Sequence, residues 1–515
     1  MPFYTLRTVL RMLVALLAST IFTFTYATVA AKSRRAEMVL IPLLDVLQSV
    51  PVLGYLSFTV VFFVALFPRS QFGPELAAIF AIFTSQAWNM AFSFYQSLRM
   101  TPEDLSEASR SFRSSAWQRF WRLEVPFAMP GLVWNAMMSM AGGWFFVVAS
   151  EAIAVGDFHI ALPGVGSYVA RAIEERNLGA IGWAIVAMTT AIIICDQLLF
   201  RPLVTWADRF RFEQSAAEVP SRSWVLELFR GSGWAMRVAG FLGGGLERAA
   251  RARLALPRGF RTLPRLPGRL LDVAWLGLIL LGAGILGWQL VRFADVSLHW
   301  KDYLEVASAG LLTLVRVVVL IVIASLIWVP IGVGIGLRPR LTAVIQPLAQ
   351  FLAAFPANLL FPVAVFVIVH FGLAPKIWLT PLMILGTQWY ILFNVIAGAS
   401  AFPGDLREAA TSLRVRRWRW WREVVLPGIF PYYVTGAITA SGGSWNASIV
   451  SEAVSWGPTA LSAGGLGAYI AQMTQRGDYA RIALGIAMMS ALVILMNRLL
   501  WRPLYALAER RTRLD

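Results

Sequence analysis

A chain of 515 residues that is 58% hydrophobic and only 14% charged, with a mean hydropathy of +0.65, is too apolar for an ordinary soluble enzyme and reads as an integral membrane protein. Its formal net charge of +17 would suit nucleic acid, but in a membrane chain a basic balance reflects loops rich in Arg and Lys, so no nucleic-acid partner is expected. The single cysteine, Cys195, lies in an apolar run and excludes a disulfide framework, while His159, His299 and His370 are scattered, so neither a metal site nor a cofactor is expected.

In chain order, apolar runs of the roughly 20 residues needed to cross a ~30 Å hydrocarbon layer are expected near 8–29, 50–67, 76–98, 127–155 and 181–204. Between the third and fourth lies a charged island, "EASRSFRSSAWQRFWRLEVP", from Glu107 to Pro126. Its spelling predicts two short helices joined by a turn, the first with Thr101 as N-cap, Pro102 at the first helical position and acids in the first turn. After the fifth span comes a stretch rich in Arg, Gly and Pro, over 207–269, read as a basic linker with a surface helix around "SWVLELFRGSGWAMRVAGFL". Six further spans are expected near 270–293, 309–336, 352–371, 377–399, 428–455 and 481–504.

The two halves repeat each other. An offset of 301 carries Pro102, Asp104, Leu105, Glu107 and Ala108 onto Pro403, Asp405, Leu406, Glu408 and Ala409, and Trp117, Pro126, Pro130, Trp144 and Glu151 onto Trp418, Pro427, Pro431, Trp445 and Glu452. The charged island returns as "EAATSLRVRRWRWWREVVLP", Glu408 to Pro427, and "GVGSY" from Gly164 returns as "GLGAY" from Gly465. Nearer the start of each half the offset is 305, pairing Thr8, Arg11, Pro42 and Pro51 with Thr313, Arg316, Pro347 and Pro356. The expected fold is an all-α polytopic membrane protein of about eleven spans, five in a first domain over 1–206 and six in a second over 270–515. The first domain lacks a counterpart of "LLDVAWLGLILLGAGILGWQLV".

Placing both charged islands in the cytoplasm also puts "AAKSRRAE", the linker, "LRPR" and "AERRTRLD" inside, and with them most of the 45 Arg and Lys residues, as the positive-inside rule requires. Met1 then starts outside with no preceding span to carry it across, so either a first span is missing ahead of it or this lineage dispenses with that helix. The islands are amphipathic: Leu105, Ala108 and Phe112 share one face, as do Leu406, Ala409, Ala410 and Leu413. Trp117, Phe120, Trp121, Trp418 and Trp421 lie among arginines, the anchor chemistry of a protein interface or of a headgroup layer.

The pattern Glu-Ala, a turn, then Pro at a fixed distance resembles the EAA coupling loop of the permease subunits of ABC importers, and "SEAIAV…LPGVGSY" with "SEAVSW…GGLGAY" resembles the nitrate, sulfonate, taurine and bicarbonate type. The resemblance implies a type I importer fold of two parallel-repeat permease domains in one chain, set in the inner membrane. It also implies two copies of a cytoplasmic ATPase docking on the loops, an external substrate-binding protein, and a small oxyanion as cargo. It makes Glu107, Ala108, Trp117, Pro126, Glu408, Ala409, Trp418 and Pro427 coupling residues. Arg113 and Arg414 stand where the family has glycine, which puts the turn's geometry in question.

The sequence offers no nucleotide site of its own. None of Lys32, Lys301 and Lys376 sits in a phosphate-binding loop, so ATP hydrolysis is expected from a partner. Polar residues within spans nominate a pathway: Gln86, Asn89, Asn135, Gln388, Ser444 and Asn446, with Arg11 and Arg316 either attracting an anion or snorkelling to headgroups. Glu151 and Glu452 are expected to bond nearby backbone. A secondary transporter of parallel repeats is the main alternative; it would need carboxylates in mid-membrane, and few acids lie there. A membrane scaffold without transport is a third.

Overall fold

Proline and glycine divide the long apolar runs. In the computed structural model, which describes residues 1–512 apart from 69, 157, 211–224, 228–247, 249–267 and 403, nearly every element is helical. The first half runs α1 (Pro2–Lys32), α2 (Arg34–Ser49), α3 (Val52–Leu66), α4 (Phe72–Arg99), α5 (Glu103–Ser111), α6 (Ala116–Arg119) and α7 (Val125–Ser150). It continues with a hairpin of β1 (Ala152–Val155) and β2 (Phe158–Ala161), then α8 (Val165–Glu174), α9 (Leu178–Cys195) and α10 (Arg201–Ala207). The second half opens with α11 (Gly268–Ser297), α12 (Trp300–Gly336), α13 (Pro339–Ala354), α14 (Phe361–His370), α15 (Pro375–Trp378), α16 (Leu382–Leu385) and α17 (Gln388–Ser400). It ends with α18 (Gly404–Ser412), α19 (Arg417–Trp420), α20 (Leu426–Ser451), the β3 (Ala453–Trp456) and β4 (Thr459–Ser462) hairpin, α21 (Leu466–Arg476), α22 (Tyr479–Met496) and α23 (Arg502–Thr512).

Among the described residues seven helices are long and apolar enough to cross a membrane, and ten when each bent pair counts as one crossing. The bends are where the structure departs from the expected straight spans. α2 meets α3 at 100° and the corresponding pair in the second half, α13 and the segment Ala357–His370, meets at 72°. Both corners fall before a proline, Pro51 and Pro356, and the preceding residues, Val50 and Phe355, are extended. Steric clash with the proline ring keeps such a residue out of the helical region. The expected span 377–399 is likewise broken by 42° between α16 and α17. The expected surface helix over 223–242 falls almost wholly outside the described residues.

Each bent arm packs on the opposite half. Val52, Leu53, Leu56 and Val60 of α3 share a buried cluster with Leu466, Ile470, Ile482 and Ile486. In return Ala357 and Phe361 join Ala172 and Ile181. The β hairpins repeat the exchange: the Gly156 N–H donates to Thr474 O and the Gly457 N–H to Ile173 O, each at 3.0 Å. These pairs interchange under the 301 offset, so the halves are related by a pseudo-two-fold axis, and the arms and hairpins clasp them across it. The hairpins, four residues per strand, were not expected from the sequence.

Candidate functional site

The charged islands fold alike. α5 and α18 each end in a turn whose left-handed residue is an arginine, Arg113 at φ 52° and Arg414 at φ 51°. Around Arg113 the amide of Ser114 donates to Ser109 O and that of Arg113 to Arg110 O; around Arg414 the amide of Val415 donates to Ala410 O and that of Arg414 to Thr411 O. These are the two bonds of a Schellman stop, which glycine normally closes. The left-handed stop is therefore closed here by arginine, at roughly 1 to 2 kcal/mol of backbone strain per site. The start of α5 differs from expectation: Pro102 occupies the cap position, and the Thr101 hydroxyl instead donates to Ser97 O at 3.4 Å.

Beyond the turn, α6 and α19 pass into single π-helical turns, Phe120–Glu124 and Trp421–Val425. The amides of Val125 and Leu426 donate five residues back, to Phe120 O and Trp421 O, and Pro126 and Pro427 follow with no amide to give. Each charged loop is thus joined to its long helix by a widened turn. Glu107, Ala108, Glu408 and Ala409 are exposed. So are Phe112 (85%), Leu413 (77%) and Trp418 (70%), large apolar groups at the loop tips. Trp117 is half-buried, its ring 5.7 Å from that of Trp121.

α7 and α20 run 26 residues, about 39 Å at 1.5 Å per residue, from the loops to the opposite end of the bundle. There the structure corrects the expected role of the paired arginines. Arg11 and Arg316 are buried and neither face lipid nor stand open to an anion, because carboxylates of the chain already hold them. Glu151 Oε1 accepts from Arg11 Nη1 at 2.7 Å and from the Thr8 hydroxyl at 2.7 Å, and Oε2 from the Gly166 amide at 2.8 Å. Glu452 accepts from Arg316 Nη1 at 2.9 Å, the Thr313 hydroxyl at 3.0 Å and the Gly467 amide at 2.8 Å. The backbone role expected for the two glutamates is present, and to it the fold adds an ion pair. The glycine motifs make room for this: a Cβ on Gly164 would fall inside the Glu151 carboxylate, and one on Gly465, at φ 105°, would lie 2.6 Å from Glu452 Oε1.

The nodes differ in one partner. Both arginines donate to the carbonyl at the same repeat position, Pro163 O at 3.0 Å and Gly464 O at 2.7 Å, but Arg11 also forks onto Glu75, at 2.6 and 2.7 Å, whereas Arg316 donates to Ala463 O at 2.7 Å. Lys376 stands at the repeat position of Glu75. Glu75 and the two threonines escaped the sequence reading, although Thr8 with Arg11 and Thr313 with Arg316, three apart on one helical face, were the available signal.

The expected pathway residues separate. Gln86 is fully buried between α1 and α4, accepting from the Ser19 hydroxyl at 3.4 Å. Asn89 donates to Ser139 Oγ at 3.1 Å and Asn135 to Ser93 Oγ at 2.8 Å, both joining α4 to α7. Gln388 accepts from the Trp328 indole at 2.9 Å, and Ser444 lies 3.1 Å from the Thr387 hydroxyl. Asn446 is the member that lines a cavity of about 80 Å³ between the halves. Gly142, Phe145 and Phe146 of α7 face Thr387, Tyr390 and Asn446 there. Gly142 and Gly443, related by the repeat, both line it, so the cavity lies at the pseudo-two-fold axis, with Phe145 at the position equivalent to Asn446. Asn446 Oδ1 is buried without a hydrogen-bond partner, and no cationic side chain lines the cavity. A wider apolar cleft of about 730 Å³ runs between α7, α9 and α13, past Trp134, Met137 and Gln350.

Comparison with known proteins agrees with this architecture. The family described as binding-protein-dependent transport system inner membrane component matches twice, at residues 11–209 and 327–513. The chain is 30% identical over 204 residues to the bicarbonate transport system permease protein CmpB of Synechococcus elongatus, covering 40% of this chain and 67% of that protein. It is 25% identical over 205 residues to the nitrate import permease protein NrtB of Leptolyngbya laminosa, covering 40% and 67%. It is also 30% identical over 169 residues to the glycine betaine/proline betaine transport system permease protein ProW of Escherichia coli, covering 33% and 43%. The chain therefore belongs to the binding-protein-dependent inner-membrane permease components of ABC importers, multi-pass and non-enzymatic, with the family's domain present twice in one polypeptide.

Proposed function

We propose that the chain supplies both membrane halves of an importer, with permease domains over 1–206 and 270–515 and the linker 207–269 on the cytoplasmic side, coupled through its two loops to two copies of a cytoplasmic ATPase. The observation that carries this reading is the pair of loops built alike, each with an exposed Glu-Ala, a left-handed arginine stop, an apolar tip and a π turn leading into a helix that spans the bundle. Force on a loop reaches the cavity through α7 or α20, since Phe145 and Asn446 lie on those helices. A substrate-binding protein would dock on the end bearing the hairpins. The cargo we propose is a small oxyanion, nitrate, bicarbonate or a sulfonate such as taurine, on the likeness to the bicarbonate and nitrate permeases.

Uptake by proteoliposomes holding the chain, its ATPase and its binding protein tests this. Labelled bicarbonate, nitrate, taurine and glycine betaine are offered with and without internal or external ATP. The expected result is ATP-dependent uptake of an oxyanion, lost in Glu107→Arg with Glu408→Arg. Uptake of betaine alone would overturn the cargo, and uptake indifferent to ATP would overturn the coupling.

A further inference from the structure

The two loops share the left-handed arginine stop and the π turn and differ in charge. Residues 101–126 carry four acids, Glu103, Asp104, Glu107 and Glu124, against four arginines, Arg110, Arg113, Arg119 and Arg122. The equivalent 402–427 carry three acids, Asp405, Glu408 and Glu423, against six arginines, Arg407, Arg414, Arg416, Arg417, Arg419 and Arg422. The first loop is formally neutral and the second is +3.

Ion pairing leaves the second loop's excess of cations in place. In the first loop Glu124 takes Arg119 at 3.3 Å and Lys32 of α1 at 2.8 Å. In the second, the ion pair found among the described residues is Arg419 with Glu423, at 3.9 Å and exposed. Arg414, Arg416, Arg417 and Arg422 are exposed, beside the uncovered Leu413 and Trp418.

Resting on the reading of these loops as ATPase handles, we infer that the second loop is the docking surface for an acidic groove of the ATPase, and that assembly starts there by electrostatic attraction while the first loop seats mainly by apolar contact. Clustered unpaired cations raise the association rate of an oppositely charged partner, and exposed Trp and Leu among arginines make the contact that holds it. Anionic headgroups would also attract arginines. A lipid contact, however, requires only net positive charge, whereas the formally neutral first loop holds Arg113 at the same strained left-handed angle as Arg414.

The test follows association of the purified ATPase with the full chain in nanodiscs of neutral lipid and, separately, of anionic lipid, from about 50 mM to about 500 mM salt. Arg416→Ser with Arg417→Ser and Arg419→Ser should slow association about tenfold at low salt and flatten its salt dependence. The corresponding Lys replacements should restore both. Arg110→Ser with Arg122→Ser in the first loop should change the rate less than about twofold. Equal effects from the two loops, or an effect seen only when anionic lipid is present, would overturn the inference. Failure of the wild-type chain to bind the ATPase at any salt would instead overturn the coupling reading on which it rests.

Discussion

The two charged loops share a left-handed stop and a π turn and differ in how firmly they are attached. The first is tied to its own domain: Lys32 bonds Glu124 and lies 4.9 Å above the Phe120 ring, Phe24 packs on Trp121, and a Ser115–Gln118 capping box closes α6. In the second, α19 has no side-chain cap and Trp418 is 70% exposed. At the far end the asymmetry recurs, with two carboxylates on Arg11 and one on Arg316. Duplication preserves what the backbone must do, the left-handed stop and the π joint, while fusion into one chain frees the two halves to diverge in what the side chains touch.

The largest expected effect probes the nodes. Glu452→Gln removes the carboxylate that faces the buried Arg316 and should cost about 3 kcal/mol of stability. Glu151→Gln should cost less, because Glu75 still balances Arg11. Thermal unfolding in detergent checks the order, and equal losses would break the comparison.

Next is Gly465→Ala, where both the left-handed φ and the approach to Glu452 oppose a methyl group. A loss of about 2 kcal/mol is expected, with the same protein yield recovered when the position is returned to glycine. A smaller effect follows from Lys32→Met, which should loosen the first loop by about 1 kcal/mol and leave the second unchanged. Limited proteolysis of the two loops reads this directly, and equal cleavage of both would show that Lys32 is no anchor. The smallest effect is Arg414→Gly, which relieves left-handed strain but adds freedom to the unfolded chain, for a net gain of about 0.5 kcal/mol. A loss on unfolding would mean that the arginine is held by contacts that offset its backbone angle.

What could be read from the sequence was whatever repeats or lies close along the chain. The offset shared by Pro126 and Pro427, and by Glu151 and Glu452, gave the duplication, the loops and the equivalent span ends, because these depend on local spelling. The arginine turn was flagged by the missing glycine, yet its φ angle could not be decided from residue type, since strain at one residue is offset by the two amide bonds around it. Pairings across 140 residues of chain, such as Arg11 with Glu151, were missed, and the arginine was read as attracting an anion or reaching headgroups, because hydropathy carries no information on which groups meet. The corners at Pro51 and Pro356 had a local signal in the proline, but the exchange of arms between halves is a property of packing. Among the nominated pathway residues only Asn446 lines the axial cavity, for the same reason: polarity within a span marks a satisfied hydrogen bond between helices as readily as a lining group.

The most direct test of coupling through two equivalent loops is the native mass of the chain copurified with its ATPase, for wild type and for Glu107→Arg, Glu408→Arg and the pair. The account predicts two ATPases per chain, weaker association in each single variant, and loss of the complex in the double variant. A wild-type chain that carries no ATPase, or a double variant that still carries two, would contradict it.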